Sequence, residues 1–138
     1  MQRYVLDTNV LVASLSSRSP HHWIWLSLTQ HKAFYLCVTT EILEEYEEII
    51  QRFYGEEAAT SVMKTLDNLP NILYITRYFR WYLIVADPDD DKFVDCAVAA
   101  QAKFIVSEDK HFNVLRQDPN PLITAIKIAE FRIIMDGI

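Results

Sequence analysis

Glycine is scarce in this chain of 138 residues: it occurs twice, and neither a G-x-G-x-x-G turn nor a Walker-type lysine loop is present. Folds that cradle nucleotide phosphates with a glycine-rich backbone are therefore excluded. Basic residues are also in deficit, since 13 lysines and arginines face 19 aspartates and glutamates and the formal net charge is -6. The composition therefore argues against binding of nucleic acid through a broad basic surface. An acidic protein can still bind phosphate where a metal ion reverses the local charge.

Cysteines and long apolar runs are also in short supply. Cys37 and Cys96 both lie in apolar stretches, give no disulfide framework or zinc spacing, and are interpreted as core residues in a reducing cytoplasm. An aspartate at residue 7 comes too early for a signal peptide, and no apolar run approaches the ~18 residues of a membrane span. We expect one cytoplasmic domain over residues 1–138 with no membrane partner, since 51% hydrophobic and 23% charged residues are typical of globular folds.

Short apolar runs alternate with helical patterns along the chain. Strands are predicted at 3–6, 33–38, 71–76, 104–107 and 121–128. Helices are predicted at 8–17, 21–31, 39–55, 56–69, 90–102, 109–115 and 128–138, while 78–86 is ambiguous between strand and buried connection. This alternation predicts a three-layer α/β/α fold with a central, mostly parallel sheet of four to five strands. In such sheets the functional crevice lies beyond the carboxyl ends of the strands.

Two helix ends carry recognisable signals. Thr39 or Thr40 is expected to cap the helix that follows strand two, and Gly55 is expected to end it. Asp89 or Asp90 is a plausible N-cap for the alanine-rich helix near residue 91, because aspartate is favoured at helix N-termini.

Acidic residues follow the predicted strands where a crevice is expected. Asp7 comes directly after strand one, Asp109 follows strand four by two residues, and Asp91 opens a helix. Asp7 alone could simply cap the next helix, but together these carboxylates can converge at one edge of the sheet. Charged groups can be enclosed there if a cation fills the space between them, and at least one acid should then have a raised pKa.

The glutamate-rich helix after strand two could supply a further acid. At ~100° per residue its apolar face leaves Glu45 and Glu47 at the two margins, and the helical pattern does not choose between them. Asp91 and Asp95, four residues apart, share a face of the later helix, where like charges destabilise a bare helix. Asp95 either contacts the residues that bind the metal, without binding the ion itself, or lies at the edge of the crevice. Both interpretations stay open.

Three segments together resemble the PIN-domain family, the nucleases that include the VapC-type toxins of toxin–antitoxin pairs. They are YVLDTNVLVA, VTTEILEEYEEII and DPDDDKFVDCAVAAQAKFIVSEDKHF. In the last of them, Asp91 is followed 18 residues later by Asp109, which comes after an apolar strand and Ser107. The resemblance covers essentially the whole chain.

The resemblance implies a set of site residues. The family's acidic quartet maps to Asp7, Glu45, Asp91 and Asp109, which favours Glu45 over Glu47. Asp7, Asp91 and Asp109 are the expected metal ligands, and Glu45 is either a ligand through water or the group that orients the attacking water. Asn9 and Ser107 match positions that hold or orient the site, with Asp95 in support. Asp90 could replace Asp91 if the register slips, although the 18-residue spacing favours Asp91.

The expected chemistry is metal-dependent hydrolysis of RNA. Carboxylates without nearby histidine or cysteine suit Mg²⁺ or Mn²⁺ and can hold one ion or two. His111 is not predicted as a ligand, because no partner spacing supports a metal site, and Lys92 is interpreted as surface charge rather than as a phosphate contact. The resemblance also implies a homodimer and an inhibitory antitoxin.

Two other functions fit part of the sequence. A PIN-like scaffold that binds RNA or a partner without cutting is the main alternative, and the intact set of acids argues against it. A haloacid-type phosphatase would need a second acid where this chain has Asn9.

Overall fold

The structure is a computed structural model that describes residues 1–76, 90–117 and 123–138. Helices and strands alternate within these ranges, as the sequence predicts. In chain order the elements are β1 (Arg3–Leu6), α1 (Thr8–Ser14), α2 (His22–Thr29), β2 (Tyr35–Val38), α3 (Thr40–Tyr54), α4 (Glu56–Asn68), β3 (Ile72–Tyr74), α5 (Asp91–Ala100), β4 (Phe104–Val106), a 3-10 turn (Lys110–Asn113), α6 (Val114–Gln117), β5 (Ala125–Ile126) and α7 (Ile128–Asp136).

The five strands form a parallel sheet in the order β3-β2-β1-β4-β5. Every neighbouring pair is parallel, so the predicted sheet is confirmed. Strand β1 is central and pairs with β2 on one side and β4 on the other. All strands therefore end at the same edge, and the residues that follow β1 and β4 are brought side by side.

Helices cover both faces of this sheet. Tyr4, Val5 and Leu6 are 1%, 0% and 0% exposed. Since successive residues of a strand point to opposite faces, neither face of β1 is open to water. The ring of Tyr4 packs on Phe34 and Phe131, with centroid distances of 5.7 and 5.0 Å. Helix α5 packs against β1, β2 and β4, and the predicted α/β/α layering is confirmed.

Helix α3 begins and ends where its sequence signals predict. The hydroxyl of Thr39 accepts a hydrogen bond from the Ile42 N–H at 3.2 Å, so Thr39 rather than Thr40 is the cap. Gly55 has φ +92°, a conformation that other residues rarely adopt, and it separates α3 from α4. Tyr46 on the buried face donates its hydroxyl to the Leu6 carbonyl at 2.5 Å. This bond fixes α3 against the end of β1.

Several elements differ from the prediction. The predicted helix at 109–115 is a 3-10 turn followed by the four-residue helix α6. The last strand is two residues long among the described residues. Segment 78–86 and residue 89 lie outside the described residues, and Asp90 occupies the N-cap position of α5. None of the helices in the described ranges has the length and apolar character needed to cross a bilayer.

The Thr39 cap gives a stability prediction. Thr39→Ala leaves the Ile42 N–H without its side-chain acceptor, and we expect a loss of about 1 kcal/mol in the free energy of unfolding. Thr40→Ala is the matched control, since Thr40 is exposed and should change the free energy by no more than about 0.5 kcal/mol. Urea denaturation followed by circular dichroism measures both, and equal losses would contradict the assignment of the cap.

Candidate active site

The junction of β1 and β4 brings the first predicted site residues together. Leu6 pairs with Val106, so Asp7 and Ser107 follow on adjacent strands. Ser107 Oγ donates to Asp7 Oδ2 at 2.8 Å and accepts from the Asp109 N–H at 3.0 Å. One hydroxyl therefore links two carboxylate-bearing residues, and the orienting role of Ser107 stays a prediction.

Asp7 is a buried carboxylate in an electronegative setting. It is 5% exposed. Burial raises its pKa, and the negative charges of Asp109 and Glu45 raise it further, while hydrogen bonds from Ser107 and the Thr8 backbone oppose the shift. The balance of these effects raises the pKa of Asp7, as expected for at least one acid of the site. Asp7 therefore lies within the electrostatic reach of both Asp109 and Glu45.

Glu45 reaches toward this junction from α3. Thr8 donates its hydroxyl to Glu45 Oε2, and Lys92 Nζ lies 2.8 Å from Glu45 Oε1. Glu47 is exposed, so the structure separates the two glutamates that the helical pattern could not. The side chain of Lys92 is 12% exposed. The interpretation of Lys92 as a surface charge is wrong, because the fold turns it inward onto a carboxylate.

The start of α5 supplies three further acids, all poorly exposed. Asp90, Asp91 and Asp95 are 9%, 6% and 1% exposed. Asp91 is the first residue of α5, and Asp95 follows one turn later. Asp95 is thus closed to solvent, and its supporting role in the site stays a prediction.

Asp90 and Asp109 enclose a histidine. His111 Nδ1 lies 3.2 Å from Asp90 Oδ2 and 3.3 Å from Asp109 Oδ1. The backbone N–H of His111 also donates to Asp109 Oδ1 at 2.9 Å. Within the described ranges, this is the one group of three possible metal-binding side chains whose ligand atoms all lie within 4.8 Å of one another. Two carboxylates and one imidazole fit a first-row divalent cation such as Mn²⁺, and accommodate Mg²⁺ less well.

No sequence spacing indicated a metal site at His111, yet the structure gives it two carboxylate neighbours. The partners are distant or irregular in sequence: Asp90 is 21 residues away and Asp109 only two. The predicted ligand set Asp7, Asp91 and Asp109 stays a prediction. The compact group instead contains Asp90 and His111 beside Asp109. This arrangement makes Asp90 a candidate ligand, as the alternative to Asp91 that the sequence left open.

Arg116 is a site residue that the sequence analysis missed. Its guanidinium donates to the carbonyl of Ser107, to the carbonyl of Asp109 at 3.2 Å and to the side chain of Asn113. The guanidinium thus holds the backbone on both sides of Glu108. No motif or spacing identifies this arginine, since α6 must fold back on the strand end before the contact exists.

Asn9 borders an open cleft beside the acids. The cleft has a volume of about 390 Å³, and its lining includes Asn9, His21, Glu108 and Asp109. Asn9 is exposed on α1, two residues after Asp7. It is therefore available to a molecule in the cleft, and its role in holding the site stays a prediction.

The fold and the acidic edge together define a class of protein: a three-layer α/β/α domain with carboxylates gathered where the central strands end. The sequence profile of the PIN domain family matches residues 3–111. Because this match covers most of the chain, the protein belongs to the PIN domain family. The comparison with curated proteins gives no significant match.

Solved structures that share the fold include two from toxin–antitoxin complexes. The first is VapBC2 from Rickettsia felis, bound to a DNA fragment from its promoter, with a TM-score of 0.63 and 16% identity. That match covers 91% of this chain and 98% of the other. The second is DNA-bound VapBC from Salmonella typhimurium, with a TM-score of 0.57, 14% identity, and coverage of 92% and 98%. At such identities the likeness establishes the fold alone.

The ligand set at Asp109 predicts a metal preference. We expect Mn²⁺ to bind more tightly than Mg²⁺, because imidazole suits first-row transition ions. His111→Ala should weaken Mn²⁺ binding on the order of tenfold, with a smaller effect on Mg²⁺. Isothermal titration of the two metals tests this, with the exposed His31→Ala as the control. Mn²⁺ binding that is unchanged in His111→Ala would remove His111 from the ligand set, and equal losses for the two metals would contradict the predicted preference for Mn²⁺.

The raised pKa of Asp7 predicts a pH-dependent cost in metal-free protein. The pKa of Asp7 is higher in the folded protein than in the unfolded chain, so the native state binds a proton more tightly. The free energy of unfolding therefore falls as the pH rises through the pKa of the folded state. Asp7→Asn should therefore be more stable than wild type near pH 8 and not near pH 3. A gain of about 1 kcal/mol would raise Tm by roughly 3 °C.

Thermal unfolding in EDTA across this pH range measures the effect. Glu47→Gln, which removes an exposed carboxylate from α3, is the control and should show no such pH-dependent gain. Adding Mn²⁺ should reverse the order, since a ligand of the native state stabilises wild type preferentially. An Asp7→Asn protein that is less stable than wild type at every pH would contradict the assignment.

Proposed function

We propose that this protein is a metal-dependent endoribonuclease that hydrolyses RNA phosphodiester bonds, and that it is the toxin of a toxin–antitoxin pair. The observation that carries the proposal is the buried carboxylate of Asp7, joined through Ser107 to Asp109 at the carboxyl edge of the sheet. Enclosing such a carboxylate near other acids is costly unless a cation offsets the charge. The membership of the PIN domain family supports the same conclusion.

The donor set fits a divalent cation, with Mn²⁺ or Mg²⁺ as the proposed ion. When bound, such an ion offsets the charge of the scissile phosphate and lowers the pKa of a water molecule. Asp109 would hold the ion, with Asp7 and Asp91 as the other predicted ligands. Asp90 and His111 complete the group that surrounds Asp109. Thr8 and Lys92 contact Glu45, and in this proposal its carboxylate would orient the attacking water.

Protein partners are part of the proposal. The similar structures come from VapBC assemblies, which supports an inhibitory antitoxin for this chain. Phe53, Tyr54 and Tyr74 are large exposed side chains, 67%, 47% and 56% accessible, and offer apolar surface to an antitoxin or to a second copy in a homodimer. Cys37 and Cys96 are buried free thiols, which suits the proposed cytoplasmic location.

The test is cleavage of single-stranded and structured RNAs by purified protein in Mg²⁺, in Mn²⁺ and in EDTA. We expect cutting only with metal. Asp7→Asn should reduce the rate by at least about 10²-fold, since it removes a charge from the centre of the site. Glu45→Gln should reduce it by about 10²–10⁴-fold if Glu45 orients the water.

Glu47→Gln is the matched control for Glu45→Gln, since it makes the same chemical change two residues along α3 on an exposed side chain. It should cut at the wild-type rate. Cleavage that survives Asp7→Asn would place the activity in another site or in a contaminant. Failure of the wild type to cut any RNA while it binds Mn²⁺ would favour the scaffold that binds without cutting.

A further inference from the structure

A lysine lies inside the acidic site. Lys92 Nζ is 2.8 Å from Glu45 Oε1, and the two side chains are only 12% and 28% exposed. Thr8 donates to the second oxygen of the same carboxylate. Both oxygens of Glu45 thus have a hydrogen-bond donor. A charge pair with so little solvent is held by its geometry, unlike the exposed pairs that contribute little.

The possible metal-binding group lies on another side of the same helix start. Asp90 meets His111, next to Asp109, while Lys92 meets Glu45 on α3. Asp7 is joined to Asp109 through Ser107, and the residue after it, Thr8, donates to Glu45, so Asp7 adjoins both groups. The site therefore has two places that favour positive charge. One has a ligand set for a divalent cation, and the other already holds an ammonium group.

We propose that this site binds one divalent cation, at its Asp109 end, and that the ammonium of Lys92 takes the place at Glu45 that a second metal ion would occupy. This inference rests on the proposed ribonuclease function. It assigns Lys92 as a phosphate-binding residue, and it resolves the choice between one ion and two that the sequence left open.

The chemistry of the two groups supports this assignment. An ammonium group carries one positive charge and three N–H donors, so it can contact a phosphate oxygen directly and offset its charge. A divalent ion at Glu45 would lie within a few ångströms of that ammonium and be repelled by it. Lys92 also follows Asp91 directly in the chain. The ammonium of Lys92 therefore lies beside the acids at the first turn of α5, where a phosphate bound to the proposed ion would adjoin it.

A purely structural role is the competing explanation. In that case Lys92 would only neutralise Glu45, and its removal would lower stability without changing metal stoichiometry. The two roles differ in what happens when the ammonium is deleted. If Lys92 fills a cation position, its removal leaves the acids at Glu45 and Asp7 able to take a second ion.

The experiment is a Mn²⁺ titration, followed by electron paramagnetic resonance and calorimetry, of wild type, Lys92→Gln and the double variant Lys92→Gln/Glu45→Gln. We expect one Mn²⁺ per chain in the wild type, two in Lys92→Gln and one again in the double variant. Lys64→Gln removes the same charge from an exposed position on α4 and should behave as wild type. Two ions in the wild type, or one ion in both Lys92 variants, would overturn the proposal.

Cleavage by the same proteins at saturating Mn²⁺ gives a second measurement. Lys92→Gln should lower the single-turnover rate by about 10²–10³-fold, as removal of one charge-stabilising donor does elsewhere. Lys92→Arg should recover at least tenfold of that loss, because it restores the positive charge. A Lys92→Gln protein that cuts at the wild-type rate would overturn the assignment of Lys92.

The two proposals can fail separately. If wild type cuts no RNA, the ribonuclease function fails, and the titration still decides whether Lys92 occupies a cation position. If wild type cuts RNA and binds two ions, the ribonuclease function stands and the inference about Lys92 fails.

Discussion

A buried carboxylate at the end of the central strand is the constraint on which the rest of the site depends. Asp7 leaves β1 where β4 runs beside it, and its charge is almost closed off from water. Such a group needs hydrogen bonds or opposite charge close by. Ser107 supplies the hydrogen bond because the parallel pairing of β1 and β4 brings it there. Arg116 in turn donates to the Ser107 and Asp109 carbonyls, which ties α6 to the loop after β4.

Much of the fold could be predicted from the sequence because its signals are local. The strands are short apolar runs, the Thr39 cap lies three residues before its donor, and Gly55 is needed where φ is positive. The predictions about the fold that were wrong concern short elements. The single helix expected over 109–115 is instead a 3-10 turn at Lys110–Asn113, capped by the Asp109 side chain, followed by the short helix α6.

The site was predictable only where residues follow strands. Asp7, Ser107 and Asp109 could be placed because parallel strands end at one edge, and the family resemblance selected Glu45. His111, Lys92 and Arg116 were missed because their partners depend on how neighbouring elements pack. Lys92 meets a residue of α3, 47 positions earlier in the chain, and no periodic pattern carries that information.

The crowding of aspartates at the start of α5 also has a geometric explanation. Side chains two residues apart in a helix point in nearly opposite directions, and the side chain between them lies roughly at right angles to both. Asp90 accordingly meets the 3-10 turn, while Lys92 meets α3. Asp91 and Asp95 share the buried stripe between these directions. A single acidic turn thus faces both ends of the site at once. This arrangement explains how so much charge adjoins a helix whose buried residues also include Phe93, Val94, Cys96 and Ala97.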